Sequence, residues 1–185
     1  MQANNFFYSN KTFELFKSKP KYTPARQGFI SRQRVETGFS CTHCHLLVSC
    51  ARNLSGVQNR NHCPYCLWSR HMDLKKPGDR LCECRAGMKP VGLTLKNTNK
   101  KYGDGQNGEL MLIHICVKCG KTSINRIAAD DDAFMIMGTF QASLKLDAIL
   151  KNGFIRQGIR VLKAADWEIV NIRLFGKSIN YQVSG

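Results

Sequence analysis

Eight of the nine cysteines fall in four close pairs: Cys41-Thr-His-Cys44, Cys63-Pro-Tyr-Cys66, Cys82-Glu-Cys84 and Cys116-Val-Lys-Cys119. A CxxC loop puts two thiolates on one side of a metal ion, and a second loop closes the other side. Cys41-x2-Cys44-x18-Cys63-x2-Cys66 has the spacing of a four-cysteine zinc site. A second site is expected from Cys84, Cys116 and Cys119. Cys82 is its favoured fourth ligand, with His71 and His114 as alternatives, and cross-brace pairing of the two sites stays open. Gly120 suits the last knuckle because it admits positive φ.

Eight sulfurs fill two tetrahedral shells, so two Zn²⁺ are the expected cofactors. Closed shells leave no position for a reacting water, and structural zinc is expected. Each such ion contributes about 10–16 kcal/mol of apparent binding energy. Net domain stability is only about 5–15 kcal/mol. Metal loss should therefore unfold the middle of the chain. Cys50 is left over and reads as a small buried apolar side chain.

The odd cysteine count and the lack of an apolar secretory h-region argue against a disulfide scaffold. A reducing compartment is expected: the cytoplasm, or an organellar ribosome. No apolar run approaches the roughly 18–20 residues of a membrane helix, so no membrane partner is expected. The charge is strongly one-sided, with 28 Lys and Arg against 13 Asp and Glu, a formal +15. Eight thiolates and two Zn²⁺ lower that by four and leave the protein basic. Such a balance seeks an acidic polymer, of which nucleic acid is the commonest.

The elements that position these groups fall into three sections. Residues 1–38 are a basic aromatic extension. There Lys11, Lys17, Lys19, Lys21, Arg26, Arg32 and Arg34 alternate with Phe and Tyr, a mixture suited to phosphates and unpaired bases. Residues 39–132 hold the metal sites, with polar turns near 76–79 and 97–108 and an apolar strand over 110–117. Residues 133–185 follow three acids, Asp130, Asp131 and Asp132, which read as helix caps. A short helix is expected over 142–152 and strands over 159–162, 167–175 and 179–183. The expected class is α+β: a small zinc-ribbon-like, β-rich core with a basic N-terminal extension and a C-terminal α/β section.

Arg60-Asn-His-Cys-Pro64, then Tyr65-Cys-Leu-Trp-Ser-Arg-His-Met-Asp73 and Pro77-Gly-Asp-Arg80, closely resemble the RNHCP domain family, named for that pentapeptide. Gly87-Met-Lys-Pro90, His114-Ile-Cys-Val-Lys-Cys-Gly120, Asn125-Arg-Ile127 and Asp130-Asp131 also look like its pattern. The resemblance covers about residues 39–132. It implies a small zinc-binding domain and supplies no reaction. His45 departs from it by standing where glycine is expected after the first CxxC, which implies a more strained knuckle.

The favoured function is RNA binding without catalysis, as a ribosomal component or ribosome-associated protein contacting rRNA. Besides the extension, Arg60, Arg70, Lys75, Lys76, Arg80, Lys100 and Lys101 are the expected contacts. The enzymatic alternative is a zinc-supported nuclease or nucleic-acid-processing enzyme using His62, His71 and Asp73 as base and metal ligand. The plainer reading of Arg60, Asn61 and His62 is that they orient the knuckle by hydrogen bonds. A third possibility is a protein-interaction module built on the C-terminal section.

Overall fold

A computed structural model describes residues 38–96 and 108–176. The chain runs through β1 (Gly38–Ser40), β2 (Leu47–Ser49), a one-turn helix α1 (Arg52–Ser55), β3 (Ser69–Arg70), β4 (Gly87–Lys96), β5 (Glu109–Cys116) and β6 (Thr122–Arg126). Helices α2 (Ala133–Leu144), α3 (Ala148–Arg156) and α4 (Trp167–Phe175) follow. β1 pairs with β2, and β3 to β6 form a four-stranded antiparallel sheet in chain order. The architecture is mixed α/β.

β5 is the apolar run and lies inside the sheet. Leu110 and Leu112 join one core cluster with Leu93, Ile136, Phe140 and Val170. Ile113 joins another with Phe154 and Val161. Successive strand residues face opposite ways. A strand covered on both sides therefore needs continuous rather than alternating apolar residues. Pro90 brings no N–H to the ladder, and the register shifts between Pro90 and Gly92. A Cβ on Gly92 would lie 3.0 Å from Ser143 Cβ, so the bare backbone there admits α2.

The section from Ala133 onward shares its core with the sheet. Phe140 is fully buried, and its truncation to Ala should cost about 3–5 kcal/mol. Asp132 caps α2 as the acid run implied, accepting from Phe134 N (2.8 Å) and Met135 N (3.1 Å). The helix expected over 142–152 is two helices, because Asp147 starts a new one by accepting from Leu150 N at 2.7 Å.

Two expected strands are absent. Trp167–Phe175 is helix α4: Val170 and Leu174 reach the core one turn apart, and Gly176 ends the helix at φ 74°. Residues 159–162 form no strand, although Leu162 N donates to Leu93 O. The strand expected over 179–183 lies outside the described residues. No single described helix is long and apolar enough to cross a membrane.

Candidate metal centres

Three knuckles share one backbone pattern. Cys41, Cys63 and Cys116 donate their N–H to the carbonyls of Leu46, Trp68 and Lys121, each at 2.9 Å. Their own carbonyls accept from His45 N, Leu67 N and Gly120 N at 2.8–3.0 Å. The loop closes only if the residue after each CxxC turns left-handed, and φ is 63° at His45, 59° at Leu67 and 70° at Gly120. The His45 departure therefore does place a non-glycine residue in the left-handed region. Leu67 tolerates it while filling the core, at 0% exposure.

The first two knuckles converge. Cys41, Cys44, Cys63 and Cys66 have all their sulfurs within 4.8 Å of one another. Cys41 Sγ to Cys66 Sγ and Cys44 Sγ to Cys63 Sγ are both 3.6 Å. A tetrahedron of sulfurs at about 2.3 Å from zinc has edges of about 3.8 Å, so the donors fit.

The second cluster is His71, Cys84, Cys116 and Cys119. Cys84 Sγ lies 3.7 Å from Cys116 Sγ, and His71 Nδ1 lies 3.3 Å from Cys119 Sγ. The mixed edge expected for zinc is about 3.5 Å. His71 thus takes the place expected of Cys82. The cause is local pairing: His71 N donates to Ala86 O and Arg85 N to His71 O, which sets the imidazole beside Cys84. Cys82 is buried two residues back, with its N–H on Met72 O. His114 is also elsewhere, buried between Leu67 O (2.7 Å from Nε2) and Asn125 Nδ2 (2.9 Å from Nδ1). Burial holds its pKa down to about 3. A neutral ring with its proton on Nε2 satisfies both contacts. Cys50 is exposed, not buried.

The thiols within each cluster are unequal. Contact with the Cys66 thiol, then the Cys66 and Tyr65 N–H groups, draws Cys63 down to about 5, while the same contact and burial push Cys66 far up. Burial opposes ionisation of Cys116, but the Cys119 and Lys118 N–H groups prevail and hold it at about 6. Thiolates this close repel, and only a cation among them lets all ionise together. Both clusters are compatible with metal binding, and their soft sulfur donors favour zinc. His71 and Cys84 would complete a closed four-ligand shell.

The pentapeptide braces the first cluster from behind. Arg60 is 4% exposed, and its guanidinium pairs with Asp130 through both Nη atoms, the Nη1 to Oδ2 bond being 2.9 Å. His62 Nε2 sits 2.7 Å from Asp131 Oδ2, which also accepts Ala128 N at 2.7 Å. Asp130 and Asp131 are therefore partners of Arg60 and His62, and only Asp132 caps the helix. Asp73 is occupied as well: it accepts Gly78 N (2.7 Å) and Arg80 N (3.1 Å). The sequence reading missed these acid partners and the stack of His43 on Trp68, with centroids 4.1 Å apart. The two acids opposite a buried Arg-x-His motif were the available signal.

The expected RNA-facing cations divide accordingly. Arg60 is internal. Arg70, Lys75 and Lys76 are exposed, and Arg80 is partly so. Lys11, Lys17, Lys19, Lys21, Arg26, Arg32, Arg34, Lys100 and Lys101 lie outside the described residues.

The described residues define the class: a mixed α/β domain with two sulfur-rich clusters compatible with metal binding. The RNHCP domain family profile matches residues 36–137, more than half of the chain, and the chain belongs to that family. No curated protein and no solved structure matches it.

Proposed function

We propose that this chain is an RNA-binding protein stabilised by two zinc ions in zinc-ribbon-like knuckles, serving as a ribosomal component or ribosome-associated protein that contacts rRNA. The observation that carries this is a group of exposed cations beside the second cluster. Arg70, Lys75 and Lys76 are exposed around the second centre. The acids of the same loop fix its backbone: Asp79 accepts the N–H groups of Leu74, Lys75, Lys76 and Leu81, and Asp73 those of Gly78 and Arg80. With His71 in place of a cysteine, seven thiolates and two Zn²⁺ reduce the formal +15 by three, so metal loading leaves the field positive. A field of that sign attracts polyphosphate.

Binding is favoured over catalysis by the occupation of the candidate catalytic groups. His62 is paired with Asp131, His71 faces the thiolates, and Asp73 holds a loop. The test is titration of the zinc-loaded chain with unpaired RNA at several salt concentrations. Log K should fall by about 0.7 per phosphate contact for each decade of salt. Affinity independent of salt rules the reading out. Sedimentation from lysate with and without RNase then distinguishes a ribosomal component, which stays with the particle through a high-salt wash.

A further inference from the structure

His43 and Trp68 lie face to face, with ring centroids 4.1 Å apart and planes 8° from parallel. The two rings come from different knuckles. His43 stands inside the Cys41–Cys44 loop, where its N–H faces Cys41 Sγ at 3.4 Å. Trp68 follows the Cys63–Cys66 loop, and its carbonyl accepts Cys63 N at 2.9 Å. Trp68 is half-buried and lies against bare backbone: a Cβ on Gly87 would stand 3.2 Å from its Cζ3 and 3.4 Å from its Cε3. His43 is exposed. Trp68 covers one face of the imidazole, so the accessible area lies on the opposite face and the ring edge. The stack thus has a supported inner layer and an open outer one.

The surroundings are cationic. Across β3 and β4, Arg70 pairs with Gly87. Alternate strand residues share a face. Arg70 therefore lies with Trp68 on one side of buried Ser69, and Lys89 lies with Gly87 on that side of buried Met88. Both cations are exposed, and Arg70 Nε donates to Arg85 O at 3.0 Å, which holds the guanidinium at this surface. We infer that the open face of His43 is a stacking platform for an unpaired base of an RNA strand whose phosphates meet Arg70 and Lys89. Every base has a π face, so stacking accepts any of the four. Bases within a duplex have their faces covered, so the platform selects unpaired strands and not a sequence. The occupant rests on the RNA-binding reading, whereas the His43–Trp68 geometry does not.

The experiment uses the zinc-loaded full chain with an unpaired RNA oligonucleotide, the same strand made abasic, and a duplex of equal length. NMR follows the His43 ring protons. The unpaired strand should move them upfield and saturate, through the ring current of the stacked base; the abasic strand and the duplex should not. His43→Ala bares Trp68, itself a stacking surface, so His43→Ala/Trp68→Leu measures the whole platform. With both zinc ions retained, that variant should bind unpaired RNA about 5- to 150-fold more weakly, the range for one stacked base, at an unchanged salt slope. His43→Tyr should keep the parent affinity. Arg70→Ala should instead reduce the slope by about 0.7. Salt-dependent RNA binding that leaves the His43 protons in place, or moves them equally with the abasic strand, overturns the platform and keeps the RNA-binding reading. Absence of salt-dependent binding by any of the three overturns both.

Discussion

Arg60 and Asp130, 70 residues apart, meet as a two-point ion pair that ties the Cys63–Cys66 knuckle to the approach of α2. The burial of the partners is unequal: the Arg60 side chain is 1% exposed and that of Asp130 33%. That inequality predicts asymmetric mutants. Asp130→Ala leaves the buried guanidinium with Asp131 Oδ1, 3.8 Å from Nη2, as its remaining carboxylate and should destabilise the zinc-loaded protein by about 2–3 kcal/mol. Arg60→Met removes the charge but keeps most of the volume, and leaves Asp130 with water. It should cost about 1–2 kcal/mol. Urea unfolding of the two variants checks the order; equal losses would show that the guanidinium is solvated.

The second centre predicts a specific pattern of metal retention. The wild-type chain should carry two zinc ions by elemental analysis. Cys82→Ser should keep both, because its sulfur lies outside the cluster. His71→Ala should release one ion at a chelator concentration that spares the Cys41 site, and His71→Cys should restore it. Loss of zinc from Cys82→Ser with retention in His71→Ala would reverse the assignment.

That assignment shows what the sequence could and could not convey. The Cys41–Cys66 site was legible because two CxxC loops carry all four donors locally. The second site takes two donors from an irregular segment, and no spacing distinguishes Cys82 from His71 there. Only the pairing of His71 with Arg85 and Ala86 decides it. β5 was legible from its apolar run. Helix α4 was not, since Trp, Ile, Val and Phe favour strands. Its Val170 and Leu174, one turn apart, together with Gly176 as a left-handed cap, were the overlooked signals.

The repeated left-handed turn predicts opposite effects at two equivalent positions. A Cβ on Gly120 would meet nothing within 4 Å, so Gly120→Ala tests backbone conformation alone. It should cost about 1 kcal/mol. His45 occupies the same turn of the first knuckle and is exposed. His45→Gly should be neutral or stabilise by up to about 1 kcal/mol, the relief of φ being partly offset by unfolded-state entropy. Thermal unfolding of the zinc-loaded variants reads both. Destabilisation by His45→Gly would mean that the imidazole makes a favourable contact.

Asp79 gives the pH dependence. Its carboxylate accepts the N–H groups of Lys76, Leu74, Lys75 and Leu81, and these bonds hold its pKa well below the ordinary carboxylate range. A depressed folded-state pKa means that the unfolded chain takes up the proton first as pH falls. The contribution of Asp79 to the loop is therefore complete above the ordinary aspartate pKa of about 3.9 and is lost progressively below it. Carboxyl carbon shifts should show Asp79 still ionised near pH 3.9, where an ordinary aspartate is half-protonated. Asp79→Ala should accelerate amide exchange at Leu74, Lys75, Lys76 and Leu81 at neutral pH while both zinc ions remain bound. Unchanged exchange at those four amides would show that the loop holds its shape without the carboxylate.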